Sequence, residues 1–241
     1  KVYSFSEQSY PDAWFEDAES LRVSLPNRHC DPEMAARLYN RYLDEWMLAD
    51  ELGLNIIVNE HHATATCMSS SVHLTLAILA RQTKRARLLG LGTPIANRND
   101  PLRVAEEMAM VDILSKGRLE CGFVRGVPYE ILPANSNPVR MNERHWEALD
   151  LIVKAWTSHD GPVSHEGRFF HHRNINIWPR PWQPEQVRSR VKKPCACRTR
   201  PAPPQVEQVL GLVPALAHSS HVALDPADEH AELDGSDAIG A

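Results

Sequence analysis

The sequence predicts an α/β protein whose strands lie parallel in one sheet. Short apolar runs alternate with longer amphipathic segments four times before residue 183. Two Asp-Pro pairs, Asp31-Pro32 and Asp100-Pro101, mark helix starts, because the carboxylate caps a helix and proline suits its first position. Strands that alternate with helices in this way are typical of parallel βαβ units.

Composition excludes several classes of protein. The chain has 241 residues, 43% of them hydrophobic, which is enough for a sizeable core. A net charge of −5 is too small to suggest nucleic-acid binding. We find no signal region and no apolar run of about 18 residues that could span a membrane. Five cysteines at irregular positions predict no disulfide framework, so we expect reduced thiols and a cytoplasmic protein.

The composition changes near residue 183. No aromatic residue follows Trp182, and seven of the 18 prolines lie beyond it. Such a segment can bury little surface and is expected to be poorly ordered. We therefore predict a structured portion over residues 1–183 and a Pro/Ala-rich, divergent tail over residues 184–241.

The elements follow from periodicity and from local start and stop signals. The first helix extends from Asp31-Pro32 to Gly53, with apolar residues recurring every fourth position. A segment at residues 71–84, with Ser69 to Ser71 as its cap, is so apolar that pattern alone does not separate strand from helix. Helices are also predicted over residues 100–117 and 141–156. The predicted strands are residues 2–5, 54–58, 87–93 and 119–124, followed by a β-like region at 163–178.

The pattern of elements fits two architectures. A Rossmann-like sheet and a (β/α) barrel both consist of parallel βαβ units. No glycine-rich dinucleotide fingerprint opens any of the helices, which weighs against the Rossmann-like sheet.

Polar residues follow successive predicted strands. The second strand leads into Glu60-His61-His62, the third into Thr93-Pro94 and Asn97, and the fourth into Arg125, Tyr129 and Glu130. Ligands of parallel α/β proteins bind at the carboxyl ends of strands. Arginine suits a phosphate and imidazole suits proton transfer near neutral pH, so this set could hold an anionic, planar, redox-active ligand.

Each of these residues also has a purely structural interpretation. A histidine at a strand end can be a hydrogen-bonded structural residue, Arg125 can be an ion-pair partner of Glu130, and Thr93-Pro94 can be a turn. Their shared placement at strand ends favours the functional interpretation. We predict no metal site, because consecutive residues on a regular strand point to opposite faces and His61 and His62 could not easily reach one ion.

Several stretches resemble the bacterial-luciferase-like, flavin-dependent monooxygenase family. They are ADELGL at 49–54 with EHH at 60–62, RQTKRARL at 81–88, PLRVAEE at 101–107, VDILSKGR at 111–118 with its continuation to Gly126, EGRFF at 166–170 and WPRP at 178–181. Each stretch alone is weak, but their order and spacing together are specific for the family.

The resemblance implies a TIM-type (β/α)₈ barrel that binds FMN at its C-terminal face. It also implies reduced flavin from a separate flavin reductase, O₂, and a small organic substrate. His61 matches the family's catalytic histidine and Arg125 an arginine at the FMN phosphate, while His62 is expected to be structural. We predict Glu60, Thr93, Pro94, Asn97 and Tyr129 as further cofactor-binding residues.

Two positions refine what the resemblance implies. Val124 stands where luciferase proper carries a reactive cysteine, which favours a general monooxygenase over light emission. Thr93-Pro94 falls where the family has an unusual peptide bond beneath the flavin, and a cis bond there would cost about 0.5–1 kcal/mol because proline narrows the cis/trans gap.

The chain departs from the family pattern by supplying four convincing strands where a barrel needs eight. We therefore expect an incomplete barrel, whose open sheet edges invite pairing into a homo-oligomer. Two alternatives to an FMN-dependent monooxygenase stay open: a non-catalytic flavin-binding protein, and an inactive truncated subunit that pairs with a homologue.

Overall fold

A computed structural model describes residues 1–15 and 20–182 of the chain, without the side chains of Trp14 and Phe15. The predicted tail, residues 184–241, lies outside the described residues. The boundary near residue 183 therefore stays a prediction.

One parallel sheet organises the described residues, as the sequence predicts. Its strands, in spatial order, are β1 Tyr3–Phe5, β2 Asn55–Val58, β3 Leu88–Pro94 and β4 Leu119–Val124. The strands stand side by side in chain order, with no point at which the order reverses. Such a sequential order is typical of a barrel and differs from the reversal that defines a Rossmann-like sheet.

Helices connect the strands and cover one face of the sheet. They are α1 Pro32–Glu51, α2 Val72–Gln82, α3 Pro101–Ser115, the short α4 Pro128–Ile131 and α5 Met141–Thr157. The apolar segment that pattern left ambiguous is the helix α2. The β-like region after α5 is an antiparallel hairpin of β5 Val163–Glu166 and β6 His171–Ile175.

The hydrophobic core lies between the sheet and these helices. Ile56 and Val58 of β2 and Leu88 of β3 are fully buried against side chains such as Leu76 of α2 and Met108 of α3. Each fully buried aliphatic side chain of this size contributes about 1.5–3 kcal/mol relative to an exposed one. The packing fixes the strands, and hence the loops at their carboxyl ends, relative to one another.

Helix capping agrees with the sequence at two of three predicted sites. The Asp31 carboxylate accepts the Glu33 backbone N–H of α1 at 2.9 Å, and the Asp100 carboxylate accepts the Leu102 N–H of α3 at 3.0 Å. The predicted serine cap of α2 is wrong, because Ser71 makes no side-chain capping bond. A distant carboxylate, described below, takes that role.

The prediction of a cis Thr93–Pro94 bond is also wrong. The cis bonds among the described residues are Leu91–Gly92 and Trp178–Pro179. The first of them coincides with a shift in the pairing of β3 with β4 between Leu91 and Thr93. The irregular backbone therefore lies in β3 itself, before the proline.

No helix in the described part of the chain is both long and apolar enough to cross a membrane.

Candidate active site at the strand ends

A histidine–carboxylate pair joins the ends of β2 and β4. His61 follows β2, and Glu130 lies in α4, just after β4. The Nδ1 atom of His61 lies 3.1 Å from Glu130 Oε1 and 3.2 Å from the hydroxyl of Tyr129. Glu130 is 2% exposed, whereas the His61 side chain is 25% exposed. The His61 imidazole is therefore partly accessible to solvent, while the carboxylate that it contacts is buried.

The charge state of this pair follows from its contacts. The hydrogen bond to Glu130 raises the pKa of His61, against the opposing effect of burial. Burial alone would raise the pKa of Glu130, but the bonds from His61 and from the His62 backbone N–H lower it overall. Burial also raises the pKa of Tyr129 to about 12, so its hydroxyl stays neutral. A raised pKa favours the protonated form of the imidazole, which can act as a proton donor near neutral pH.

Glu60, at the end of β2, interacts with three residues: Arg98, His62 and Val72. Its side chain is fully buried, forms an ion pair with Arg98 and lies 3.0 Å from His62 Nε2. Its Oε2 atom accepts the Val72 backbone N–H at 3.0 Å, and this bond caps α2 in place of Ser71. Glu60 thus ties three segments of the chain together at the end of β2.

His61 and His62 do not alternate along a regular strand, contrary to the geometry expected from the sequence. β2 ends at Val58, so His61 and His62 lie in a loop, where each imidazole is near its own carboxylate, Glu130 and Glu60 respectively. Within the described residues, no cluster of three or more His, Cys, Asp or Glu side chains could hold a metal ion.

Thr93 is fully buried at the end of β3 and lies beside a histidine that sequence reasoning missed. Its hydroxyl is 3.4 Å from Nε2 of His73, a buried residue of α2. The other ring nitrogen of His73 contacts Glu107 of α3, which also pairs with Arg103 at the surface. A polar chain therefore runs between the two helices to the end of β3.

Unpartnered polar atoms lie where β3 and β4 end. The amide nitrogen and oxygen of Asn97 are both buried and have no hydrogen-bond partner among the described residues. Gly126 approaches this amide so closely that a Cβ on it would lie 2.5 Å from Asn97 Nδ2 and 3.4 Å from the Pro94 side chain. Gly126 has a φ of +95°, a conformation that other residues rarely adopt. Buried, unpaired amides of this kind are uncommon and call for a ligand or water.

Arg125 precedes Gly126, and its charge is not neutralised by the predicted partner. Glu130 pairs with His61 instead, and no salt bridge to Arg125 occurs among the described residues. Arg125 lies near His145 of α5, whose pKa is lowered to about 4 by burial and, to a smaller extent, by the Arg125 charge. His145 is therefore neutral at neutral pH, and its Nδ1 atom has no partner in the described part.

The structure gathers the predicted residues into two adjoining groups at one edge of the sheet. In one group His61 lies beside Tyr129, while Glu60 contacts the neighbouring His62. In the other, Asn97 and Pro94 lie against Gly126, the residue that follows Arg125, and Thr93 is buried next to Pro94 in the chain. Sequence reasoning missed His73 and the pairing of Glu130 with His61. The Glu130 pairing had a signal, because Glu130 follows a predicted strand end as His61 does.

Comparison with known proteins gives a consistent family. The family described as luciferase-like monooxygenase matches residues 21–230. The oxygenase component of flavin-dependent trigonelline monooxygenase from Acinetobacter baylyi is 32% identical over 168 residues, which are 68% of this chain and 45% of that protein. The chain thus spans about half the length of the curated relatives it matches.

Solved structures share the fold. Monooxygenase RslO1 from Streptomyces bottropensis superposes with a TM-score of 0.61 at 24% identity, covering 76% of this chain and 50% of that one. The oxygenating constituent of 3,6-diketocamphane monooxygenase from Pseudomonas putida, solved with FMN, gives a TM-score of 0.56 at 18% identity, covering 62% and 45%. With the family match, these likenesses confirm a TIM-type barrel fold of which the described sheet is an incomplete part.

Proposed function

The chain belongs to the luciferase-like monooxygenase family, and on that premise we propose that it binds FMN and acts in a monooxygenase reaction that uses reduced flavin and O₂ to oxygenate a small organic substrate. The observation that carries this proposal is the group of unsatisfied polar atoms at the ends of β3 and β4. Asn97 offers a buried amide, and Arg125 offers a guanidinium without a carboxylate partner among the described residues.

The residues present fit an anionic, planar cofactor. Arg125 would hold the phosphate, because a guanidinium donates parallel hydrogen bonds to phosphate oxygens. The absence of a Cβ at Gly126 lets its backbone lie against the Asn97 amide, and polar groups of a bound ligand would satisfy the two unpaired atoms of that amide. When bound, reduced FMN supplies the electrons that activate O₂. Thr93 and Pro94 are both buried, so they would shape this site from within the protein, with the Thr93 hydroxyl directed toward His73.

His61 would be the catalytic residue. It lies at the same edge of the sheet, is partly exposed, and has its pKa raised by the hydrogen bond to Glu130, which favours the protonated ring. It would act as a general acid or base toward the substrate, a role that contributes about 10²–10⁴-fold to rate in enzymes. Tyr129 and Glu60 would hold the surrounding loops in place.

The partners we propose follow from the same relatives. The name of the Acinetobacter baylyi relative, an oxygenase component, supports a separate flavin reductase as the source of reduced flavin. A homo-oligomer is supported by exposed apolar residues on two neighbouring helices, Leu74 and Ile78 of α2 with Met110 and Leu114 of α3. Apolar surface of this kind on a folded domain is typical of an interaction site.

An FMN titration tests the proposal. The protein is titrated with oxidised and reduced FMN by fluorescence and absorbance, with Arg125→Ala and the surface variant Arg41→Ala as a matched pair. We expect saturable binding that Arg125→Ala weakens about tenfold or more, since a charge-assisted hydrogen bond contributes about 1.5–3 kcal/mol. Arg41, which pairs with Glu45 on the exposed face of α1, should leave the affinity unchanged.

The outcomes separate the candidate functions. His61→Ala should bind FMN as the unmodified protein does, but consume O₂ more slowly with a reductase and substrate. Binding of FMN without any substrate oxygenation would support the non-catalytic flavin-binding alternative. No binding of either form of FMN would contradict the proposed function and favour the inactive subunit that pairs with a homologue.

A further inference from the structure

Glu130 makes more contacts with the end of β2 than an ion pair with His61 requires. Its Oε1 atom accepts the His62 backbone N–H at 2.8 Å and lies 3.1 Å from His61 Nδ1. Its Oε2 atom accepts the Val127 backbone N–H at 3.4 Å. The carboxylate is therefore held by backbone donors on both sides, and its position relative to the His61 ring is fixed.

The chemistry of the acceptor determines which nitrogen of His61 carries a proton. An ionised carboxylate only accepts hydrogen bonds, so the nitrogen that contacts it must be the N–H nitrogen. Glu130 is ionised at neutral pH, since its contacts lower its pKa. The proton on Nδ1 is thus retained by Glu130, and the neutral hydroxyl of Tyr129 can share it as a second acceptor.

We propose that Glu130 is a positioning residue that fixes His61 in one tautomer, with a permanent proton on Nδ1, and leaves Nε2 as the nitrogen that exchanges protons with bound substrate. The inference deepens the proposed function and rests on it for the identity of that substrate. The arrangement follows the general logic of a histidine oriented by a buried carboxylate, in which the wrong tautomer abolishes most of the activity.

The surroundings of His61 are consistent with this assignment. Among the charged groups near it, Glu7 favours the protonated ring and Arg22 opposes it, and both act less strongly than Glu130. The buried thiol of Cys67 is also nearby, and burial raises its pKa to about 12, so it stays uncharged. Glu130 is thus the dominant electrostatic partner of His61 among the described residues.

Titration of the histidine rings by NMR tests the proposal without flavin. Two-bond ¹H–¹⁵N spectra are recorded from pH 5 to 9, and the His61 signals are assigned from their loss in His61→Gln. We expect the neutral ring of His61 to be the Nδ1–H tautomer. We also expect its titration midpoint to fall in Glu130→Gln, an isosteric change that removes the charge but retains an acceptor oxygen.

A matched control is available in the hairpin. Glu166 lies 3.1 Å from the ring of His171, also through Nδ1, but this pair is exposed. Glu166→Gln should leave the tautomer and the midpoint of His61 as they are in the unmodified protein. An Nε2–H tautomer for His61, or a midpoint that is equal in the two glutamine variants, would overturn the proposal.

A reciprocal measurement covers the case in which Glu130→Gln fails to fold. The ¹³C signal of the Glu130 carboxyl is titrated in the unmodified protein and in His61→Gln. Loss of the imidazolium should raise the pKa of Glu130, and an unchanged carboxyl titration would count against the pair. Because neither measurement needs FMN, failure of FMN binding would overturn the proposed function while these titrations still decide the role of Glu130.

Activity provides a final check in a protein that binds FMN. Glu130→Gln should bind FMN with unchanged affinity, lose about tenfold or more in oxygenation rate at neutral pH, and move the His61-dependent limb of the pH–rate profile to lower pH. A purely structural role for Glu130 would lower the rate equally at every pH, and that result would contradict the proposal.

Discussion

His145 shows how a single buried residue couples stability to pH. Burial lowers its pKa to about 4, whereas an unfolded chain would bind the proton near the ordinary value of 6.5. The unfolded state therefore binds more protons between these values, and stability falls as the pH drops through this window. We expect His145 to lower the free energy of unfolding by about 2 kcal/mol when the pH falls from 7.5 to 5.

Urea unfolding of the protein and of His145→Gln at both pH values measures this contribution. On acidification, the free energy of unfolding should fall by about 2 kcal/mol less in the variant than in the unmodified protein. His159→Gln, which alters an exposed histidine just after α5, should keep the full pH dependence. An equal loss in all three proteins would show that His145 does not titrate differently in the folded state.

At the residue scale, the sequence predicts which positions reach the strand ends but not which side chains pair there. The sequence offers Glu130 as an ion-pair partner of Arg125, five residues away, but Glu130 contacts His61, 69 residues away. Sequence proximity could not reveal this choice, because the pairing depends on how β2 and β4 are placed in the sheet. Because Glu130 pairs with His61, Arg125 is left without a carboxylate partner among the residues that the structure describes.

At the element scale, α2 and α3 differ in whether the residue at the capping position forms a side-chain cap. Ser71 occupies the capping position of α2 but makes no side-chain bond, whereas Asp100 accepts backbone N–H groups of both Leu102 and Arg103 in α3. Asp100→Ala should lower the free energy of unfolding by about 1 kcal/mol, the usual contribution of a cap. Ser71→Ala should change it by less than about 0.5 kcal/mol.

Chemical unfolding of both variants, read by circular dichroism, checks this contrast. Equal losses in the two variants would mean that Ser71 caps α2 after all. As an internal comparison, Glu60→Ala should lower the free energy of unfolding more than either, because it removes the cap of α2 and also the carboxylate that pairs with the partly exposed Arg98.

Element prediction was accurate where periodicity spans several turns and failed where it does not. The helices α1, α3 and α5 each present a repeated apolar face, and their predicted bounds agree with the structure within two residues or so at most ends. α4 has four residues, fewer than the pattern needs, so the sequence predicts no helix at Tyr129 and Glu130. The sequence predicts only a β-like region where the structure has the hairpin of β5 and β6, although Gly167 in its four-residue connection is a signal for such a turn.

At the scale of the whole molecule, the described sheet is open on both sides. β1 and β4 each have one neighbour among the described strands. After β6, the chain returns to the start of β4, where the Trp182 backbone N–H bonds to Asp112 of α3 at 2.8 Å and the Trp182 ring lies against Gly117. The described core includes side chains up to Ile177, while the family match extends to residue 230.

Truncation tests whether residues 183–241 contribute to the stability of the fold. The tail has no aromatic residue and seven prolines, so we expect it to bury little apolar surface and a chain of residues 1–182 to unfold cooperatively, with a free energy within about 1 kcal/mol of the full chain. A chain ending at residue 157 provides the comparison.

This shorter chain lacks Phe170, Ile175 and Ile177 of the core. Loss of one such side chain lowers the free energy of unfolding by about 2–5 kcal/mol, so the shorter chain should be severely destabilised. If residues 1–182 instead lose cooperative unfolding or aggregate through the β4 edge, the segment beyond residue 183 belongs to the folded barrel, and the boundary inferred from composition is wrong.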